Sequence, residues 1–203
     1  MAVSEVAICN LALQKLGASR ISSLSDATEN ARECNAAYEL LRDRELRANR
    51  WKFAIKRTTL APSSTTPDFT YTYAFQLPSD CLRVLFPARL GLDWKIENHE
   101  GHPAILTNDG NSLEVRYIAR VTDPTKFDAL FVDALACKLA WQLCEALTQS
   151  NTKKAAALDE YKMAMADARK MNAIELGVLK QPVDEWLAAR RVGQLYNSEW
   201  GEE

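Results

Sequence analysis

The sequence predicts a mainly α-helical protein with a small inserted β-module. This is an α+β fold of four main helices, with short antiparallel strands between the second and third. Two patterns predict it. Apolar residues recur at helical spacing up to about residue 50 and again over residues 123–176, but alternate with polar ones in between. The 203 residues are 47% hydrophobic and 26% charged, enough for one buried core with an appendage. The chain divides into helices 1 and 2 (residues 1–50), a β-module with loops (51–122), helices 3 and 4 (123–176) and an extended C-terminal tail (177–203).

Ser4 is placed to cap a first helix in which Val6, Cys9 or Asn10, Leu13 and Leu16 share a face. Gly17 closes it. After the link "RISSLS", Asp26 and Glu29 have capping-box spacing and predict the start of a long second helix. Its apolar stripe is Ala27, Ala31, Cys34, Tyr38 and Leu41. It runs to about Arg50, roughly 37 Å if continuous. The period then changes, for Trp51, Phe53 and Ile55 alternate with Lys52, Ala54 and Lys56 as in a strand. "APSSTTPD" predicts a mobile Pro/Ser/Thr loop.

Strand candidates follow in "YTYAFQL", "LRVLF", "DWKIE", "AILTN" and "LEVRYIARV". The last places Leu113, Val115, Tyr117, Ala119 and Val121 on one face, and "NDGN" before it predicts a tight hairpin turn. Thr125 and Asp128 have cap spacing ahead of the most apolar helix, which carries Phe127, Leu130, Phe131, Leu135, Leu139, Leu143 and Leu147. That helix is the expected centre of the core. "SN" breaks it, and a fourth helix from about Thr152 to Glu175 turns Leu158, Tyr161, Met165 and Ala168 inward.

A formal charge of -2 counts against a general polyanion binder. Yet "RDRELRANRWKFAIKR", Arg42 to Arg57, holds seven basic residues against two acidic ones. On a helical wheel Arg42, Arg44, Arg47 and Arg50 fan over about 200° of the polar side. A helix that reads a DNA groove gathers its basic side chains on one exposed face. Asp43 with Arg47, and Glu39 with Arg42, have the spacing of intrahelical ion pairs, and terminal arginines suit the helix dipole. The favoured reading is a solvated helix end leading into a strand. An arginine-rich rim docking on acidic residues of another protein comes next, and direct nucleic-acid binding by Arg42 to Arg57 last.

The five cysteines, Cys9, Cys34, Cys81, Cys137 and Cys144, include no CxxC pair and read as reduced core thiols of a protein made in a reducing cytoplasm. "MAVSEVAICN" lacks the basic cluster of a signal peptide, and no apolar run is long enough for a bilayer, so a soluble protein is expected. "IENHEGHP" brings Glu97, His99, Glu100 and His102 together, but no recognisable motif adds further ligands, so no metal is expected. No GxSxG elbow, phosphate-cradling loop or singled-out carboxylate pair is present. The chain is therefore expected to have no catalytic residues, to need no cofactor and not to be an enzyme. Trp186, Leu187, Tyr196 and Trp200 lie in an irregular tail flanking Arg190 and Arg191. They either fold back on the core or anchor a partner.

The blocks "ICNLALQKLGASRISSLSD", "RDRELRANRWKFAIKR", "FQLPSDCLRVL", "WKIE…ILTN" and "LEVRYIARVTDPTKFDALFVDALACKLAWQLCEAL" occur in one order over residues 3 to 175. In sequence and helix–β–helix layout the chain resembles the head-to-tail adaptors of short-tailed bacteriophages, the tail tubular or gatekeeper-ring family. The resemblance implies a ring, a dodecamer in the virion, assembled in the bacterial host cytoplasm and seated beneath the portal protein. Such a ring extends the DNA channel, passes double-stranded DNA without sequence-specific binding, and docks the tail nozzle protein. It implies portal docking by the C-terminal segment, hence by Trp186, Arg190, Arg191, Tyr196 and Trp200. Arg42, Arg44, Arg47 and Arg50 then suit contacts between neighbouring subunits. The competing expectations are a regulatory nucleic-acid-binding protein using Arg42 to Arg57, and a small cell-wall hydrolase.

Overall fold

Side-chain caps and left-handed residues set most helix boundaries. In the computed structural model, which describes residues 3–87 and 92–176, α1 (Glu5–Leu16) begins at Ser4, whose Oγ accepts from the Ala7 amide. It ends at Gly17, φ +73°, with the Gly17 and Ala18 amides returning to the Gln14 and Leu13 carbonyls. Only a residue tolerant of positive φ closes a helix this way without strain. A helix α2 (Glu29–Ala48) starts later than the capping-box spacing predicts. Thr28 is its N-cap, and Asp26 instead accepts the Ser22 and Ser23 amides of the preceding turn. Ala27 consequently stays exposed and outside the apolar stripe.

The third helix shows the same kind of displacement. A short 3₁₀ turn, Pro124–Lys126, is capped by Asp123, and α3 (Ala129–Thr148) is capped by Asp128 rather than Thr125. An Asp or Thr side chain takes whichever nearby amide is unsatisfied, so spacing alone does not fix which residue is the cap. After Gln149, left-handed at φ +50°, α4 (Asn151–Leu176) begins.

α3 is the central element, packing against α1, α2 and α4. Ile8 and Leu13 of α1, Tyr38 and Leu46 of α2, and Phe131, Leu135, Leu139 and Leu143 of α3 are almost wholly buried in one core. Each such side chain contributes about 1.5–3 kcal/mol by leaving water. Met165 and Ala168 of α4 close its far side.

Residues 51–54 are not strand, contrary to their alternation. Lys52–Ala54 forms a 3₁₀ turn, and β1 (Ile55–Leu60) starts after it. Trp51 and Phe53 both insert among the helices, their rings 4.9 and 5.2 Å from that of Phe131. The Trp51 indole donates to the Glu45 carbonyl at 2.9 Å. Two apolar residues at spacing two serve a tight 3₁₀ corner here, a pattern that periodicity alone cannot tell from a strand.

The β-module comprises β2 (Tyr73–Gln76), β3 (Cys81–Pro87), β4 (Trp94–His99), β5 (His102–Thr107) and β6 (Leu113–Ala119) besides β1. They form two antiparallel sheets, in the orders β1-β6-β3 and β2-β5-β4. The sheets meet through Phe75, Ile105, Val84, Leu113 and Val115, while Ile118 on the other face of β6 joins the helical core. This alternation is how one strand bridges both cores.

The predicted hairpin at "NDGN" is corrected, because β5 and β6 belong to different sheets and the turn crosses between them. Asp109 Oδ1 accepts from the Asn111 amide and side chain, both at 3.0 Å. An added Cβ at Gly110 would stand 2.3 Å from the far end of the Tyr73 ring, so a larger residue there needs that ring to shift. The tight hairpin is instead β4–β5, where Glu100 and Gly101 take φ of +53° and +81° between paired His99 and His102. Successive positive φ values match the twist of antiparallel strands. The "APSSTTPD" loop is tied down rather than loose: the Ser63 amide donates to Ala74, and Thr65 Oγ1 lies 3.2 Å from His99 Nε2. Among the described residues no helix is long and apolar enough to cross a membrane.

Candidate functional site

The seven basic residues of Arg42 to Arg57 divide by what they meet. Arg42 is corrected from the solvated polar side to the interior, at 2% exposure. Its Nε donates to Asp43 Oδ1 at 2.9 Å, its Nη1 lies 3.9 Å from Glu5 and from Glu39, and its guanidinium stands over the Tyr38 ring. A charge so enclosed has nothing left to offer a neighbouring subunit. Arg47, exposed, donates to the Leu82 carbonyl instead of pairing with Asp43, whose second oxygen takes Arg120 Nε at 2.7 Å. Lys52 pairs with Glu175, and Lys56 with Asp80 at 2.7 Å. Arg44 is exposed beside Leu40 and Gln142.

Arg50 leads elsewhere. Just beyond α2, it lines a recess of about 530 Å³ together with Arg83 of β3, Arg116 of β6 and Arg169 of α4. Ala48, Asn49, Asn172, Ala173 and Leu176 complete the wall, and no carboxylate is among the described lining residues. The β3–β6 pairing has a register shift between Cys81 and Arg83. Arg83 Nη1 reaches the Ala48 carbonyl only at 3.5 Å, and the buried Nε atoms of Arg50 and Arg83 have no hydrogen-bond partner among the described residues. Arg57 and Arg116 sit directly opposite each other across β1 and β6. Burial, then the charges of Arg57 and Arg50, push the Arg116 guanidinium below its ordinary pKa. Like charges opposed on a sheet are destabilising.

A second charged centre is closed. Lys138 lies in the helical core, 3.9 Å from Glu45 Oε1 and 4.4 and 4.5 Å from the centres of the Trp141 and Tyr161 rings. The Tyr161 hydroxyl donates to the same Glu45 oxygen at 3.0 Å. Burial, then Glu45, push the Tyr161 phenol up to about 12. Every charge in this centre has a partner, so it holds helices together and leaves no site open.

The structure brings Arg50 into the recess, separates Arg44 and Arg47 from it along the surface, and removes Arg42 from the surface altogether. The expected docking residues Trp186, Arg190, Arg191, Tyr196 and Trp200 lie outside the described residues. Arg83, Arg116 and Arg169 were not anticipated, because only the strand order and the docking of α4, whose Asn172 bonds the Lys52 amide and the Arg50 carbonyl, bring them to Arg50. His99 and His102 flank the β4–β5 hairpin turn, and among the described residues no group of three or more His, Cys, Asp or Glu is placed for a metal. The five thiols are free, and all but Cys81 are buried. A scan against protein-family models and a search of curated proteins each gave no match to this chain.

Proposed function

We propose that the chain is a non-enzymatic structural connector of a phage virion, forming a ring below the portal that extends the DNA channel and docks the tail nozzle. The single observation that carries this reading is the arginine recess at the seam between helices and β-module. It collects cations from four parts of the chain without a carboxylate among its described lining residues. In a head-to-tail ring each subunit presents one surface to a different surface of the next. The buried Nε atoms of Arg50 and Arg83, without a partner among the described residues, can then be met between chains. Arg44 and Arg47 extend the basic surface beside the recess, and the overall charge of -2 is compatible with DNA sliding past. The virion and the portal come from the family resemblance; the interface comes from the charges. Trp186, Arg190, Arg191, Tyr196 and Trp200 are proposed to reach the portal.

The second reading, nucleic-acid binding through Arg42 to Arg57, draws support from Arg50 and Arg57. Against it, Arg42, Arg47, Lys52 and Lys56 are engaged within the chain. Only Arg44, Arg50 and Arg57 of that stretch are left for phosphates. Light scattering on a mixture with a candidate portal ring tests the first reading. A complex with one copy per portal subunit supports it. A chain that stays monomeric at micromolar concentration beside an intact portal removes it, and a steep salt dependence of duplex affinity would favour the second.

A further inference from the structure

Guanidinium groups on a water-facing surface are ordinary; guanidinium groups gathered in a recess are not. Arg50, Arg83, Arg116 and Arg169 converge from the end of a helix, two strands and a second helix, and the Nε atoms of Arg50 and Arg83 are buried without a hydrogen-bond partner among the described residues. Buried polar atoms normally have partners.

We propose that this recess is a carboxylate-binding site that takes adjacent acidic side chains of another polypeptide chain. That the partner is a protein rests on the interface reading above; the anionic chemistry rests on the recess alone. Three features favour carboxylates over the phosphates of a duplex. A concavity of about 530 Å³ admits side chains, whereas duplex phosphates lie on a convex surface and are met by outlying cations. The Ala48, Ala173 and Leu176 wall offers apolar contact to the methylenes of Glu or Asp, and phosphate has none to use. A guanidinium presents two parallel N–H groups that match one carboxylate, and several such forks call for more than one carboxylate.

The test uses the full chain and calorimetric titration at low salt. The probes are acetyl-tetraglutamate amide, its glutamine counterpart, inorganic phosphate and a short DNA duplex. The glutamate peptide is expected to bind, with the glutamine peptide and phosphate at least tenfold weaker. Arg83→Gln and Arg169→Gln should each weaken the glutamate peptide by about tenfold or more, the loss of a charge-assisted hydrogen bond. Arg83→Lys, which keeps the charge but not the fork, should recover only part. Equal melting curves for all variants would show that folding is intact.

Failure of the glutamate peptide to bind, or equal binding by the Arg83→Gln/Arg169→Gln double variant, overturns the proposal. Duplex binding that disappears in the double variant while the peptide stays unbound also overturns it, in favour of phosphate. The portal mixture separates the two levels. A full ring complex without peptide binding sinks the recess proposal alone, and peptide binding without a ring sinks the connector reading alone.

Discussion

Arg42 and Arg50 stand about two helical turns apart and have opposite surroundings. Arg42 is enclosed by Glu5, Glu39 and Asp43 and lies over an aromatic ring. Arg50 opens on a recess shared with three other arginines and no described carboxylate. The difference extends to their regions. Among the helices, buried charge is matched: Lys138 has Glu45, and Glu45 also has the Tyr161 hydroxyl. At the seam with the β-module, Arg50 and Arg83 instead hold buried Nε atoms without a partner among the described residues. Breaking a paired buried charge is costly, and a buried polar atom left without a partner also costs stability.

The sharpest way to break this comparison is to remove a partner from the matched region. Glu45→Ala leaves Lys138 buried without its counter-ion and the Tyr161 hydroxyl without an acceptor. A loss of about 3–5 kcal/mol is expected, because a stranded buried charge forfeits both attraction and hydration. Urea unfolding followed by circular dichroism measures it. Adding Lys138→Met should restore a large part, since an apolar side chain there has no charge to strand. A small loss in the single variant would mean that water reaches Lys138.

Arg42→Ala comes next, at about 2 kcal/mol. The bond to Asp43 and the packing on Tyr38 account for most of it. The 3.9 Å contacts to the more exposed Glu5 and Glu39 add little. If Arg42→Ala were neutral in thermal melts, enclosure would not imply a structural role and the contrast with Arg50 would weaken.

These two regions also mark where the sequence was legible. Helical periodicity and composition were enough for four helices, a β-module between the second and third, and α3 as the central element, because those patterns reflect burial directly. Ser4 and Gly17 were legible as caps, since each acts on its own helix end. Spacing misplaces the caps of α2 and α3 at Asp26 and Thr125 instead of Thr28 and Asp128, because a polar side chain near a helix start can take an amide of the preceding turn. The hairpin expected at Gly110 failed for a different reason: strand partners are chosen across the chain, and nothing local in "NDGN" says that β5 and β6 join different sheets. The recess was illegible on the same ground. Residues 50, 83, 116 and 169 meet only through the β1-β6-β3 order and the packing of α4 against that corner. The burial of Arg42 was missed because a wheel treats every polar position as solvated.

Asp80 tests the border between the regions. It accepts from Lys56 Nζ at 2.7 Å and from the Tyr117 hydroxyl at 3.1 Å. Burial pushes its carboxyl up, but the bonds from Lys56 and Tyr117 outweigh it and hold the pKa below the ordinary value. A carboxyl depressed in the folded state adds stability that is fully present above its unfolded pKa, near 4, and is lost as pH falls through the folded value. Asp80→Asn should remove that limb of the stability–pH curve and cost less than about 1 kcal/mol at neutral pH, since solvent screens the pair. An unchanged acid limb, followed by chemical denaturation from pH 6 to 2, would show that these bonds do not persist in solution.

The smallest expected effect is the most telling. Arg83→Gln removes one of several like charges and sacrifices only a 3.5 Å contact to the Ala48 carbonyl. Stability should stay within about 0.5 kcal/mol of the parent, with any gain appearing at low salt. That gain should fade near 1 M salt, where the screening length falls to about 3 Å and neighbouring guanidinium groups no longer repel each other appreciably. Urea unfolding at both salt concentrations measures this. A loss above about 1 kcal/mol would place Arg83 with Arg42 as a structural cation. A neutral or salt-sensitive stabilising result would separate the two kinds of arginine by measurement, because the fold would then hold Arg83 without needing it.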